Sequence, residues 1–450
     1  MGGYTTRLAL RSLRHRLTAF TATFVAVLLG TAVIGSFTTL VETATGPISS
    51  ADAETLTIMG AVVGGWGALI VLFSVASTVG ITVTQRDAEI GLLRTIGATA
   101  RQARRLVRAE TLAVCLAASV AGALVASVTG RALLAAVESG GLIDHADYGG
   151  GTVSLGITVG GVLLVCLAAA AIAGRRATRG PASVTPGEER ADAGRMRWWR
   201  VAGAVVLIAY GVSMAIVTVT VTKNSDDPYE AMATSGSNAI LVGVGLALLA
   251  PVLLRWGSFA LRPVLGRRSA EAHLARYNTF RRAHLLAGVL GPVIVLTSSA
   301  VGTLMAVGTD GRTLPAGASD DGDTITLLNN VVVGMLSLFA AIMVINAFAA
   351  AIAHRRTELR RLWLLGATPV QVERSIVAEA AIVAAVGVAL GLVASLATIV
   401  PFGIARGEGV VPDGQLWLPP LLVAGVVVLT LGAARGAVRR VARPEPARSA

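Results

Sequence analysis

Apolar residues in this chain fall into ten long runs, near 17–40, 57–84, 106–130, 152–174, 201–222, 237–256, 284–308, 326–353, 373–400 and 417–435. Polar residues gather in the stretches between them. A helix that crosses a bilayer needs about 20 predominantly apolar residues, so each run predicts one transmembrane helix. The period changes between the second and third runs, and again between the eighth and ninth. Ile90, Leu93 and Ile96, and then Leu359, Leu362, Trp363 and Leu365, recur at helical spacing with charges on the other face. Each set predicts a short amphipathic helix. Gly97 and Gly366 follow where a helix ends in a left-handed residue. Thr99 with Gln102, and Thr368 with Gln371, then read as capping boxes that open the next helix, with Pro369 at its first position.

These two helix–corner–helix segments are copies of each other. Arg86-Asp-Ala-Glu-Ile-Gly-Leu-Leu-Arg-Thr-Ile-Gly-Ala-Thr99 recurs 269 residues later as Arg355-Arg-Thr-Glu-Leu-Arg-Arg-Leu-Trp-Leu-Leu-Gly-Ala-Thr368, and the match runs on without a gap to Glu110 and Glu379. The flanks match too. Leu8-Ala-Leu-Arg-Ser-Leu-Arg-His15 and Leu274-Ala-Arg-Tyr-Asn-Thr-Phe-Arg-Arg282 each lead into a span, and Arg-rich exits follow at 175–182 and 439–447. An internal copy cannot be a cleaved leader, so both lead-ins read as basic elbows along a membrane surface. The expected organisation is a first four-span unit over 1–182, a linker with two spans over 183–273, and a second four-span unit over 274–450. The fold class is an all-α polytopic membrane protein of about ten spans.

Composition agrees. Of 450 residues 54% are apolar and only 14% charged, with a mean hydropathy of +0.72, whereas charge near a quarter is usual in soluble domains. The net charge of +12 requires no nucleic acid. With the N-terminus inside, 34 of the 38 Lys and Arg fall in cytoplasmic segments, leaving Arg131, Lys223, Arg312 and Arg406 outside, as the positive-inside rule demands. Both termini and both Gly corners are therefore expected in the cytoplasm. The outer loops, with Asp226, Asp227, Asp320, Asp321 and Asp323, lean acidic.

Catalytic patterns are sparse. A phosphate-binding P-loop needs a Lys after its Gly-rich turn, and the only Lys is Lys223, at the outer end of a span. His15, His145, His273, His284 and His354 lack metal-ligand spacing, so no metal site is expected. Cys115 and Cys166 lie within spans and read as small apolar residues rather than a disulfide. Glu110 and Glu379 enter the membrane just beyond Arg105 and Arg374, where pairing or snorkelling competes with a coupling role. Asn329, Asn330 and Asn346 read as interhelical hydrogen-bonding groups. Gly60/Gly64, Gly156/Gly160 and Gly387/Gly391 allow close helix contact.

The segment Glu89-Ile-Gly-Leu-Leu-Arg-Thr-Ile-Gly-Ala-Thr99, between one span and two more with an Arg-rich exit, resembles the FtsX-like permease domain of ABC transporters of the MacB and bacitracin-exporter type. The ten-span arrangement is most similar to the bacitracin-type permeases. The resemblance implies that the elements 85–105 and 354–374 dock on a separate ATP-binding subunit, two per permease chain, which holds ATP and magnesium; the permease carries no cofactor and is not an enzyme. It assigns the docking corners to Glu89, Arg94, Gly97, Ala98 and Thr99, and to Glu358, Trp363, Gly366, Ala367 and Thr368, with Glu110 and Glu379 as possible coupling acids. Trp363 stands where the first copy has Arg94, so the corners are electrostatically unequal. The large outer domain usual in such permeases between spans seven and eight is absent, since that loop covers only about 309–325. This favours export, extraction or flipping of an amphiphile, such as a lipid, peptide or antibiotic, in the plasma membrane. The alternatives are a non-transporting sensory subunit using the same ATPase, and an ion-driven secondary transporter.

Overall fold

A computed structural model describes residues 17–60, 87–139, 143–177, 198–224, 230–261, 270–313, 341–349 and 355–442, with isolated positions between these stretches. Regular structure among the described residues is helical: α1 (Leu17–Thr43), α2 (Ser50–Ile58), α3 (Asp87–Thr95), α4 (Ala100–Ser139), α5 (Thr152–Ala177), α6 (Trp198–Thr220), α7 (Glu230–Ser235), α8 (Asn238–Leu248), α9 (Ala250–Ala260), α10 (Ala270–Arg281), α11 (Ala283–Thr313), α12 (Arg356–Leu364), α13 (Pro369–Ala405) and α14 (Leu418–Ala442). Seven of these, α1, α4, α5, α6, α11, α13 and α14, are long and apolar enough to cross a membrane. The runs near 57–84 and 326–353 lie largely outside the described residues, as do Asn329 and Asn330.

The run near 237–256 departs from expectation. It is not one straight span but two helices, α8 and α9, that meet at 82°. Pro251 supplies the reason: it has no N–H to give to Ala247, and its ring clashes with the carbonyl one turn back. The second helix turns its aromatic residues outward, with Trp256 and Phe259 exposed while Leu254 and Ser258 are buried.

The chain forms two compact units, residues 1–191 with 317–328, and residues 192–316 with 329–450. In the first, α1 and α4 run parallel and touch through backbone. A Cβ on Gly122 would stand 2.5 Å from the Leu28 carbonyl oxygen and 2.8 Å from the Thr31 Cβ. Ser36 and Thr129 share a hydrogen bond of 2.6 Å across the same seam, and Thr38 and Thr158 one of 2.9 Å to α5. Cys115 and Cys166 are buried free thiols that face each other between α4 and α5.

In the second unit α11 and α13 repeat the arrangement. A Cβ on Gly391 would lie 2.5 Å from the Thr297 Cβ and 3.0 Å from the Ile294 carbonyl oxygen. Leu28, Thr31 and Gly122 thus recur as Ile294, Thr297 and Gly391, the same contact at matched positions of the two copies. Gly387 packs on Val293 in the same seam, whereas Gly156 and Gly160 face open space. The core is a continuous cluster that includes Leu254, Leu290, Val293, Ile294, Phe348 and Val383. Interhelical contacts this close depend on small residues, since lipid tails offer no hydrophobic drive for helices to associate. At the far ends of α11 and α13, Asp310 pairs with Arg406, and Arg312 meets Glu408 at 2.9 Å. Two of the four basic residues assigned outside are thereby neutralised.

Candidate functional site

Each Gly-Ala-Thr corner is built by its local sequence. Helix α3 ends in a Schellman motif, with the Ala98 N–H donating to the Leu93 carbonyl at 2.9 Å and the Gly97 N–H to the Arg94 carbonyl at 3.1 Å. Gly97 has φ +102°, and Gly366, after α12, has φ +93°. There the Ala367 N–H reaches the Leu362 carbonyl at 3.0 Å. A Cβ at either glycine would meet nothing within 4 Å, so torsion alone requires glycine here.

The caps follow. Thr99 and Gln102 exchange hydrogen bonds of 2.8 and 3.3 Å, and Thr368 and Gln371 of 2.9 and 3.3 Å. Pro369 holds the first position of α13. Both corners thus join a short amphipathic helix to a long apolar one through a left-handed glycine and a capping box.

The second corner is fastened from beneath by charges. Glu379, 2% exposed on α13, accepts from both terminal nitrogens of Arg355, the Nη2 bond to Oε1 being 3.1 Å. Asn278 on α10 donates to the same Oε1 at 2.9 Å. Glu358 on α12 is held by Arg282 and lies 3.6 Å from Arg355 Nε. Burial alone would raise the Glu358 pKa, but the Arg282 and Arg355 guanidinia outweigh it and hold the carboxyl below its usual 4.5. Elbow α10, short helix α12 and long helix α13 are therefore tied through five side chains. Leu359 is buried against Val372, Ile376 and Val438, which seats α12 on α13 and α14.

Sequence reasoning placed Glu358 and Glu379 at this site but expected Glu379 to pair near Arg374. The partner is instead Arg355, from the start of the matched segment, and neither Asn278 nor Arg282 was assigned to the corner. Their positions in the duplicated elbow were the available signal. In the first unit Glu110 is equally buried, 1% exposed; Arg86, the counterpart of Arg355, lies outside the described residues. So do the side chains of Glu89 and Trp363, although their backbones sit on α3 and α12.

The apolar faces are also only partly as expected. Ile90 and Leu359 are buried, yet Ile96 is 75% and Leu365 83% exposed, and Leu92, Leu364 and Val370 are exposed beside them. Each corner therefore carries its apolar residues into open space on a helix whose other face is anchored. Exposed apolar residues clustered this way mark a contact surface.

Residues 61–182 and 330–446 each match the FtsX-like permease C-terminal domain, two copies that together cover more than half of the chain. Comparison with curated proteins returns no match. Both copies contain a corner and the long helix that follows it. FtsX-like permeases are membrane subunits that work with ABC ATP-binding subunits. The chain belongs to the FtsX-like permease family, as a multi-pass membrane subunit of an ABC-type transporter.

Proposed function

We propose that this chain is a bacitracin-exporter-type permease in which the corners at Gly97 and Gly366 dock two ATP-binding subunits and pass their motion to α4 and α13. The observation that carries this reading is the pairing, at the Gly366 corner, of exposed Leu364, Leu365 and Val370 with the buried Arg355–Glu379 anchor about two and a half turns away along both helices. An apolar rim recruits a partner, and an ion pair at the head of a spanning helix makes that helix follow the rim. The organisation is a first membrane unit over 1–182, a linker with two spans over 183–273, and a second unit over 274–450, in the plasma membrane. The Lys and Arg asymmetry puts both corners and both termini on the cytoplasmic side.

The cargo is an amphiphile that is exported, extracted or flipped. Supporting this is an apolar cavity of about 800 Å³ between α9, α10 and α13, lined by Trp256, Phe259, Phe280, Val386 and Leu390 among others, with Arg255 at its edge. Such an open apolar groove suits a lipid-like tail with an anionic end.

Replacing Leu364 and Leu365 by Ser tests the docking role. Removal of two apolar anchors from an interface weakens it by about 2 kcal/mol or more. The variant is expected in the membrane at normal levels, with loss of co-purifying ATPase and of ATPase stimulation. Full stimulation in this variant contradicts the reading.

A further inference from the structure

Five arginines converge on one cavity in the first unit. Arg101, Arg104, Arg105 and Arg108 come from α4 and Arg175 from the end of α5, around a space of about 650 Å³. Along α4 they fall at intervals of three and four residues, which stacks them on one face, where like charges repel. The end of α5 packs into the cluster, since a Cβ on Gly174 would lie 3.8 Å from the Arg104 side chain. No acidic residue lines the cavity among the described residues. Arg108 keeps a buried Nε with no hydrogen-bond partner.

The cavity sits where both helices pass from polar to apolar sequence. Beyond Arg108 helix α4 turns apolar, with Leu116 and Val120 exposed; one turn before Arg175 the α5 surface carries exposed Ile172, then Leu167 and Leu164. A ligand here has its charge among guanidinia and its body along an apolar surface. Guanidinium forks match phosphate oxygens in pairs, and basic pockets between membrane helices take phospholipid headgroups.

We propose that this cavity is a binding site for the phosphates of an anionic phospholipid, with room and charge for a headgroup bearing two, as in cardiolipin. Its phosphates lie between α4 and α5 and its acyl chains along Leu116, Ile172 and Leu164. Arg101 begins two residues after the Thr99 cap, so the bound lipid also steadies the root of the corner. The site stands independently of what docks on that corner.

The test uses the full chain in nanodiscs of phosphatidylcholine alone, with phosphatidylglycerol, or with cardiolipin at equal charge. Thermal unfolding is followed in each, and retained lipid is read by native mass spectrometry. Cardiolipin is expected to raise the unfolding temperature more than phosphatidylglycerol and to persist as an adduct. The pair Arg105→Gln and Arg108→Gln removes charge-assisted bonds and lowers retention by about tenfold or more, without changing unfolding in phosphatidylcholine alone. Should that pair fold poorly, the exposed pair Arg101→Gln and Arg105→Gln gives the same reading. Equal effects of the two anionic lipids, unchanged retention in the folded variants, or displacement of cardiolipin by pyrophosphate, which marks a soluble phosphate as occupant, overturns the proposal.

Discussion

Arg355 meets Glu379 through both of its terminal nitrogens, a two-pronged ion pair between the foot of the short amphipathic helix α12 and the buried wall of the long apolar helix α13. The carboxylate has Asn278 as a third donor. Breaking such a pair leaves one uncompensated buried charge and costs about 3–5 kcal/mol, whereas replacing both partners by apolar residues of similar size is often neutral. Arg355→Met and Glu379→Met are each expected to lower the unfolding temperature of the purified protein sharply, and the double variant to recover most of the loss. Additive losses in the double variant would show that the two residues act separately. ATPase stimulation distinguishes anchoring from stability: the stable double variant is expected to dock its partner and fail to couple.

The corner glycines make a cleaner case. Because a Cβ at Gly97 or Gly366 meets no atom, substitution is opposed only by the left-handed backbone, at about 1–2 kcal/mol for a residue that resists it. Gly97→Val and Gly366→Val are expected to impair ATPase stimulation with normal membrane insertion. Gly→Asn at the same positions retains most activity, since Asn tolerates this conformation. Equal loss in the Val and Asn variants would point to space rather than torsion. Arg94 in one copy and Trp363 in the other further predict that one corner's loss is felt more than the other's.

Glycine also sets the helix seams. A methyl on Gly391 would press into Thr297 and the Ile294 carbonyl, and one on Gly122 into Thr31 and the Leu28 carbonyl. Overpacking of this kind costs about 1–3 kcal/mol. Gly391→Ala and Gly122→Ala are expected to destabilise measurably in thermal unfolding, while Gly156→Ala, which faces open space, is neutral or mildly stabilising.

Much of this was legible in the sequence because it is local. Left-handed glycines, capping boxes and Pro369 declare themselves within a few residues, and the duplication gave each motif a second reading. The non-local parts were not legible. That Glu379 would choose Arg355 over Arg374 depends on how α12 folds back on α13. Periodicity put Ile96 and Leu365 on the apolar face, but the helices end there, and their last apolar residues overhang the corner instead of meeting a core. The break at Leu249 was signalled by Pro251 inside an apolar run, a signal that span length masked.

Glu358 gives the second corner a pH dependence. Its folded pKa lies below the ordinary 4.5 because Arg282 and Arg355 outweigh the effect of burial. The contribution is therefore fully present above about 4.5 and lost as pH falls through the lower folded value. Hydrogen exchange across α12 is expected to quicken as pH drops through that window, after correction for intrinsic rates, and Glu358→Gln is expected to remove the pH-linked part. An unchanged profile in this variant would assign the effect to another group.

The central claim is that one chain supplies both docking corners for a pair of ATP-binding subunits. A pair needs two related docking sites, and two covalently joined copies of the unit provide them at Gly97 and Gly366. Native mass spectrometry of the complex purified with its ATPase decides the count. The account predicts one copy of this chain with two ATP-binding subunits, falling to one when either corner carries Gly→Val. Two copies of this chain per ATPase pair would contradict it.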